Sequence, residues 1–180
     1  DNEELDKSRE KSTRYYKMSA DLGYAKAQAT YGLCLQQGDG TEADEKLGLQ
    51  YLKKASEQGS LLGMNAYGAS LYNGVGTDKD AENGLMILKK AADLGCAESQ
   101  FLYGKWNDDP VIGHLYIEKA AENHHDGALF KYGRDFMEGR GVGQDMEKAA
   151  EVFAKLYEKE WKKRVLLKLN QCMSLLKFDI

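Results

Sequence analysis

A chain of 180 residues with 42% apolar side chains can build one continuous core, and with no apolar run of about eighteen residues it excludes a membrane-spanning helix. Its formal net charge of −4 argues against nonspecific nucleic-acid binding, which uses a basic face. Cys34, Cys96 and Cys172 stand alone, which excludes a disulfide framework and suggests a reducing, cytoplasmic setting.

The predicted elements recur. Gly23, Gly59 and Gly95 are 36 residues apart, and Tyr31-Gly32, Tyr67-Gly68 and Tyr103-Gly104 keep the same interval. Tyr132-Gly133 returns 29 residues later, and Asp44, Asp80, Asp109 and Asp145 step by 36, 29 and 36. Such a period marks stacked supersecondary units, each burying its apolar face on its neighbours. Proline occurs once, at Pro110, and no segment alternates with period two, so strands are not expected. The expectation is an all-α solenoid of antiparallel helix pairs forming a single domain.

In chain order, residues 1–23 read as a half repeat, because Tyr16, Ser19, Ala20 and Gly23 match Leu52, Ala55, Ser56 and Gly59. The chain opens at Asp1 inside a repeat, which suggests a piece of a longer protein. Full copies follow at 24–59, 60–95 and 125–160, with a short copy at 96–124. The first helix of each copy, helix A, is predicted at 25–37, 61–73, 97–107 and 126–138. Its small position holds Ala27, Gly63, Ser99 and Ala128. A mid-helix glycine costs about 1 kcal/mol relative to alanine, so the aligned glycines after the tyrosines imply close approach of another helix.

Helix B begins at the aspartate column, where Asp44, Asp80, Asp109 and Asp145 suit the N-cap and Pro110 suits the first helical position. Gly84, Leu88, Ala91 and Ala92 then form one apolar stripe. Gly38-Asp39-Gly40, Gly74-Val75-Gly76 and Gly139-Arg140-Gly141 join A to B. A phosphate loop would need a preceding strand, so these glycines read as turn residues with positive φ. The short copy lacks this loop, so its helix A and turn should be truncated, leaving a notch near Trp106. Residues 161–180 carry Trp161, Val165, Leu166, Leu169, Cys172, Met173 and Leu176 at helical spacing and read as a C-terminal capping helix.

Chemistry-bearing clusters are few. His124-His125-Asp126 with His114 invites a metal, but three or four converging ligands are needed and no cysteine lies nearby in sequence. His124 reads as a turn residue in the stop-glycine column and His114 as packing at the core edge. No cysteine has a histidine at motif spacing, and G-x-S-x-G does not occur. No catalytic residue, metal or cofactor is expected.

Ala25-Lys26-Ala27, Gly32, Gly38-Asp39-Gly40, Asp44, Gly74-Val75-Gly76, Asp80, Lys90-Ala91-Ala92, Gly95, Gly139-Arg140-Gly141-Val142, Asp145 and Lys148-Ala149 resemble the Sel-1-like repeat, a relative of the tetratricopeptide repeat. The resemblance covers residues 6–160; it departs at tyrosine for the usual leucine before glycine, and at the short copy. It implies a right-handed α–α superhelix whose helix A residues line a concave face, in adaptors and scaffolds that bind other proteins. On that basis Asn65, Tyr72, Phe101, Lys105, Phe130, Arg134 and Met137 are the candidate binding residues, within wider groove columns that include Ala29, Leu33, Gln36 and Glu138. Phe101 and Phe130 read equally as core. The expected function is a non-enzymatic module binding a protein or peptide, with neither nucleic acid nor membrane insertion. The alternatives are a regulatory segment packed on a larger parent enzyme, and a hydrolase like some cysteine-rich bacterial relatives, whose recurrent cysteine pairs are missing here.

Overall fold

The computed structural model describes residues 2–158; the predicted capping helix at 161–180 lies outside the described residues. Its elements are α1 (Asn2–Asp21), α2 (Ala25–Gln37), α3 (Glu45–Glu57), α4 (Leu61–Asn73), α5 (Ala81–Asp93), α6 (Ala97–Trp106), α7 (Pro110–Glu122) and α8 (Asp126–Glu138). A further helix, α9, is described over 146–158. No strand occurs among the described residues, and the helix A limits agree with expectation to within a residue. The chain divides into two compact units, Asp1–Asn107 and Asp108–Ile180.

The aspartate column does what its chemistry predicts. Asp44, Asp80 and Asp145 each accept a bond from the backbone N–H three residues on, and Asp109 accepts from Val111 and Ile112. These bonds satisfy donors that have no partner inside the helix. Gly38, Gly74 and Gly139 close α2, α4 and α8 in the left-handed conformation. In contrast α6 is three residues shorter than α4 (10 against 13) and ends on extended Asn107, the truncation expected of the copy without a glycine loop.

In the first unit, the glycine columns are where helices cross. A Cβ placed on Gly84 would stand 2.7 Å from both the Gly68 carbonyl oxygen and the Tyr72 nitrogen. Leu52, Ala55, Leu88 and Ala91 are fully buried along the stripes of α3 and α5. Tyr31 packs edge-on to Tyr51 at 5.0 Å, above Ala20 and Leu35. Gln28 and Gln100, one repeat column, donate to the carbonyls of Ala20 and Ala92, tying each helix A to the end of the preceding helix B.

The loop glycines have a second duty that the sequence reading did not assign. Gly76, at φ +73°, lies directly on the Glu45 backbone, and its N–H donates to Glu45 Oε2 at 3.2 Å. Gly40 meets the Arg9 carbonyl in the same way. The loop of one repeat therefore rests on the helix B of the repeat before, where no side chain fits.

In the second unit, Ile117, Ala120 and Ala128 are fully buried, and Phe153 of α9 covers Gly133. The core here is not wholly apolar. Asp135 is 1% exposed, held by an ion pair from Lys131 and facing His114 Nδ1 at 3.4 Å.

Candidate interaction surface

The candidate residues fall on α4 and α6 in the first unit and on α8 in the second. Asn65 is half-buried and committed, since its Oδ1 accepts from Ser99 Oγ at 2.9 Å. Tyr72 lies flat against Trp106, with ring centroids 4.1 Å apart and planes 1° from parallel. Both rings are half-buried, and Lys79 Nζ stands 5.2 Å from the Tyr72 ring centre. Phe101 is half-buried with exposed Lys105 Nζ 5.9 Å from its ring centre. A cation over an aromatic face is attracted by the ring quadrupole.

On α8, Phe130 is 51% exposed and leans on Phe153 at 5.8 Å. Arg134 is exposed and bonded to Glu138 at 2.6 Å, which holds the Glu138 carboxyl below its ordinary range. Met137 is 41% exposed. Of the wider groove columns, Ala29 is fully buried and cannot line an open surface. Gln36 is spent on a 2.9 Å bond to Ser70 Oγ. Both corrections have one cause: these columns also carry the contacts between successive A helices.

The sequence reading missed the stack itself. Trp106 occupies the column of Cys34 and Ser70, and Tyr72 that of Gln36. The Tyr72–Trp106 pair thus replaces the Gln36–Ser70 hydrogen bond of the copy before. It also missed Asp135, whose charge in the same column was the available signal.

The histidines have structural partners. His114 is buried, 5.2 Å from the Tyr132 ring and edge-on to Phe136. His125 caps α8, its Nδ1 accepting from the Ala128 N–H at 3.0 Å. His124 stands at φ +60° where earlier copies have glycine. Tyr132 donates to Glu118 at 2.5 Å; burial first, then this bond, pushes its hydroxyl well above the ordinary range. Among the described residues, no group of three His, Cys, Asp or Glu side chains converges to hold a metal ion. No described helix is long and apolar enough to cross a membrane.

The Sel1 repeat pattern matches residues 3–24, 25–60, 61–96 and 127–159, omitting most of the short copy. No curated protein matches the chain. A protective antigen of uropathogenic Escherichia coli that displays an SLR fold is 28% identical, with a TM-score of 0.75 over 82% of this chain and 33% of its own. A Sel1 repeat protein from Oxalobacter formigenes is 26% identical, with a TM-score of 0.72 over 87% of this chain and 49% of its own. The chain therefore spans between a third and a half of the length of these two structures.

Proposed function

The chain belongs to the Sel1 repeat family, whose solenoids generally serve as protein-interaction scaffolds, and on that premise we propose that it binds a peptide or partner domain through its A-helix face. The proposed surface is carried by α4 and α6, with Tyr72, Phe101, Lys105 and Trp106 as its contact residues. No catalytic step is assigned to it.

The observation that carries the reading is the Tyr72–Trp106 stack, half-buried, with Lys79 beside it. Tryptophan and tyrosine are enriched among residues that dominate binding energy, because a rigid apolar ring loses little entropy on contact. The flat pair offers a wide surface of this kind, and Lys105 supplies charge beside Phe101.

The test compares partner capture by the native chain with capture by folded Phe101→Ala and Trp106→Ala variants. Loss of the aromatic pair should cost about 0.5–1.5 kcal/mol of stability beyond the apolar burial that the truncation removes. Binding should fall about tenfold or more, as for truncation of a dominant contact residue. Undiminished binding by both variants would move the site elsewhere. Parallel losses of binding and melting temperature in Phe101→Ala would make that residue core.

A further inference from the structure

Helices α1, α3 and α5 end on the same ion pair. Lys17 meets Asp21 at 2.6 Å, Lys53 meets Glu57 at 3.9 Å and Lys89 meets Asp93 at 2.7 Å. In α7 the same two columns hold Glu118 and Glu122, so a second carboxylate stands where the other helices carry lysine.

The first unit shows what packs beside these columns. Tyr51 of α3 sets its ring 5.0 Å from Tyr31, and its hydroxyl donates to Asp21 at 2.7 Å. Lys54 Nζ stands 5.3 Å from the Tyr51 ring centre. The same columns of the last copy come 101 residues later, two steps of 36 and one of 29. Tyr132 keeps the place of Tyr31, Glu122 that of Asp21 and Lys155 that of Lys54, but Val152 takes the place of Tyr51. The last copy has therefore exchanged a ring with its phenolic donor for a valine, and the cation of Lys17 for Glu118.

A cavity of about 390 Å³ opens at this place, among α7, α8 and α9. Its floor is apolar. Ala121 and Val152 are buried, and Leu129 occupies the column where Gln28 bonds the Ala20 carbonyl in the first unit. Glu118, Glu122 and Lys155 also line it, two carboxylates against one ammonium. Tyr132 supplies an aromatic wall, with its hydroxyl donated to Glu118 at 2.5 Å. Burial, then that bond and the charges of Glu118 and Glu122, push the Tyr132 hydroxyl above its ordinary range, so the field of both carboxylates reaches this wall. A concave site of this size, apolar with a few convergent polar groups, suits a small ligand.

We propose that this cavity binds a small arylalkylammonium ion, its ring on Val152 and Leu129 against Tyr132 and its ammonium on Glu118 and Glu122. The ring restores the burial that Tyr51 supplies in the first unit, and the ammonium restores the charge of Lys17. An anion of the same shape is repelled by the two carboxylates. The site lies wholly in the second unit and does not rest on the surface proposed for α4 and α6.

The probe is tyramine, titrated calorimetrically into the full chain at low salt, with 4-hydroxyphenylacetate as an anion of similar shape. Tyramine should bind at one site in the millimolar range or tighter, and the anion at least about tenfold more weakly. Val152→Tyr returns the ring that the first unit carries, and Glu118→Lys returns its ion pair. Each should weaken tyramine at least about tenfold in a chain that still unfolds cooperatively. Glu122→Gln, at an exposed position that leaves the core untouched, should weaken it severalfold. Absence of tyramine binding by the native chain would overturn the proposal, as would equal affinity for the anion. Undiminished binding by folded Val152→Tyr, or by Glu122→Gln, would also overturn it.

Discussion

Two single residues carry measurable consequences. His124 holds a left-handed conformation, φ +60°, at the turn where Gly23, Gly59 and Gly95 do so without a side chain. A non-glycine residue there costs roughly 1–2 kcal/mol, offset in part by the freedom glycine has when unfolded. His124→Gly should therefore stabilise the chain by about 1 kcal/mol, read as a rise in melting temperature of several degrees. Tyr51 donates to Asp21 Oδ1 at 2.7 Å, and that bond, with burial adding to it, pushes the hydroxyl from 10.0 up to about 12. A raised folded value means the bond stabilises fully below pH 10 and is lost as pH climbs towards 12. Asp21→Asn should bring the Tyr51 ionisation back towards 10, followed by the tyrosine ring carbon shift in NMR.

At the scale of elements, sequence reading succeeded wherever one residue decides a local geometry. The aspartate caps, the left-handed glycines and the shortened α6 were all legible, since each depends on neighbours within a few positions. The contacts between successive A helices were not. They join residues 34 apart in a 36-residue repeat, a two-residue stagger that becomes visible only once the helices are placed. Ala29 was assigned to an open groove for that reason, and the Tyr72–Trp106 stack was not foreseen. Asp135 was missed because its charge was not read against a repeat column that holds cysteine, serine and tryptophan elsewhere. The glycine crossings are the most demanding feature at this scale. Gly84→Ala sets a methyl 2.7 Å from the Gly68 carbonyl and the Tyr72 amide, both backbone atoms that cannot step aside cheaply. It should cost about 1–3 kcal/mol despite the better helix propensity of alanine, as overpacking does, measured by urea unfolding.

At the scale of the whole chain, the repeat makes the family plain, and the family makes protein interaction the expected role. The division between the two compact units falls at Asn107–Asp108, inside the copy that lacks its glycine loop. The interaction surface proposed on α4 and α6 lies wholly within the first unit, and its aromatic members surround the point where that copy is truncated. The partner-binding claim rests on Tyr72, Phe101, Lys105 and Trp106. The most direct test of that claim is site-specific photo-crosslinking, with a photoreactive phenylalanine placed at Phe101 and, separately, at exposed Met86 on α5. The account predicts a partner adduct from position 101 and none from 86; an adduct from 86 with none from 101 would contradict it.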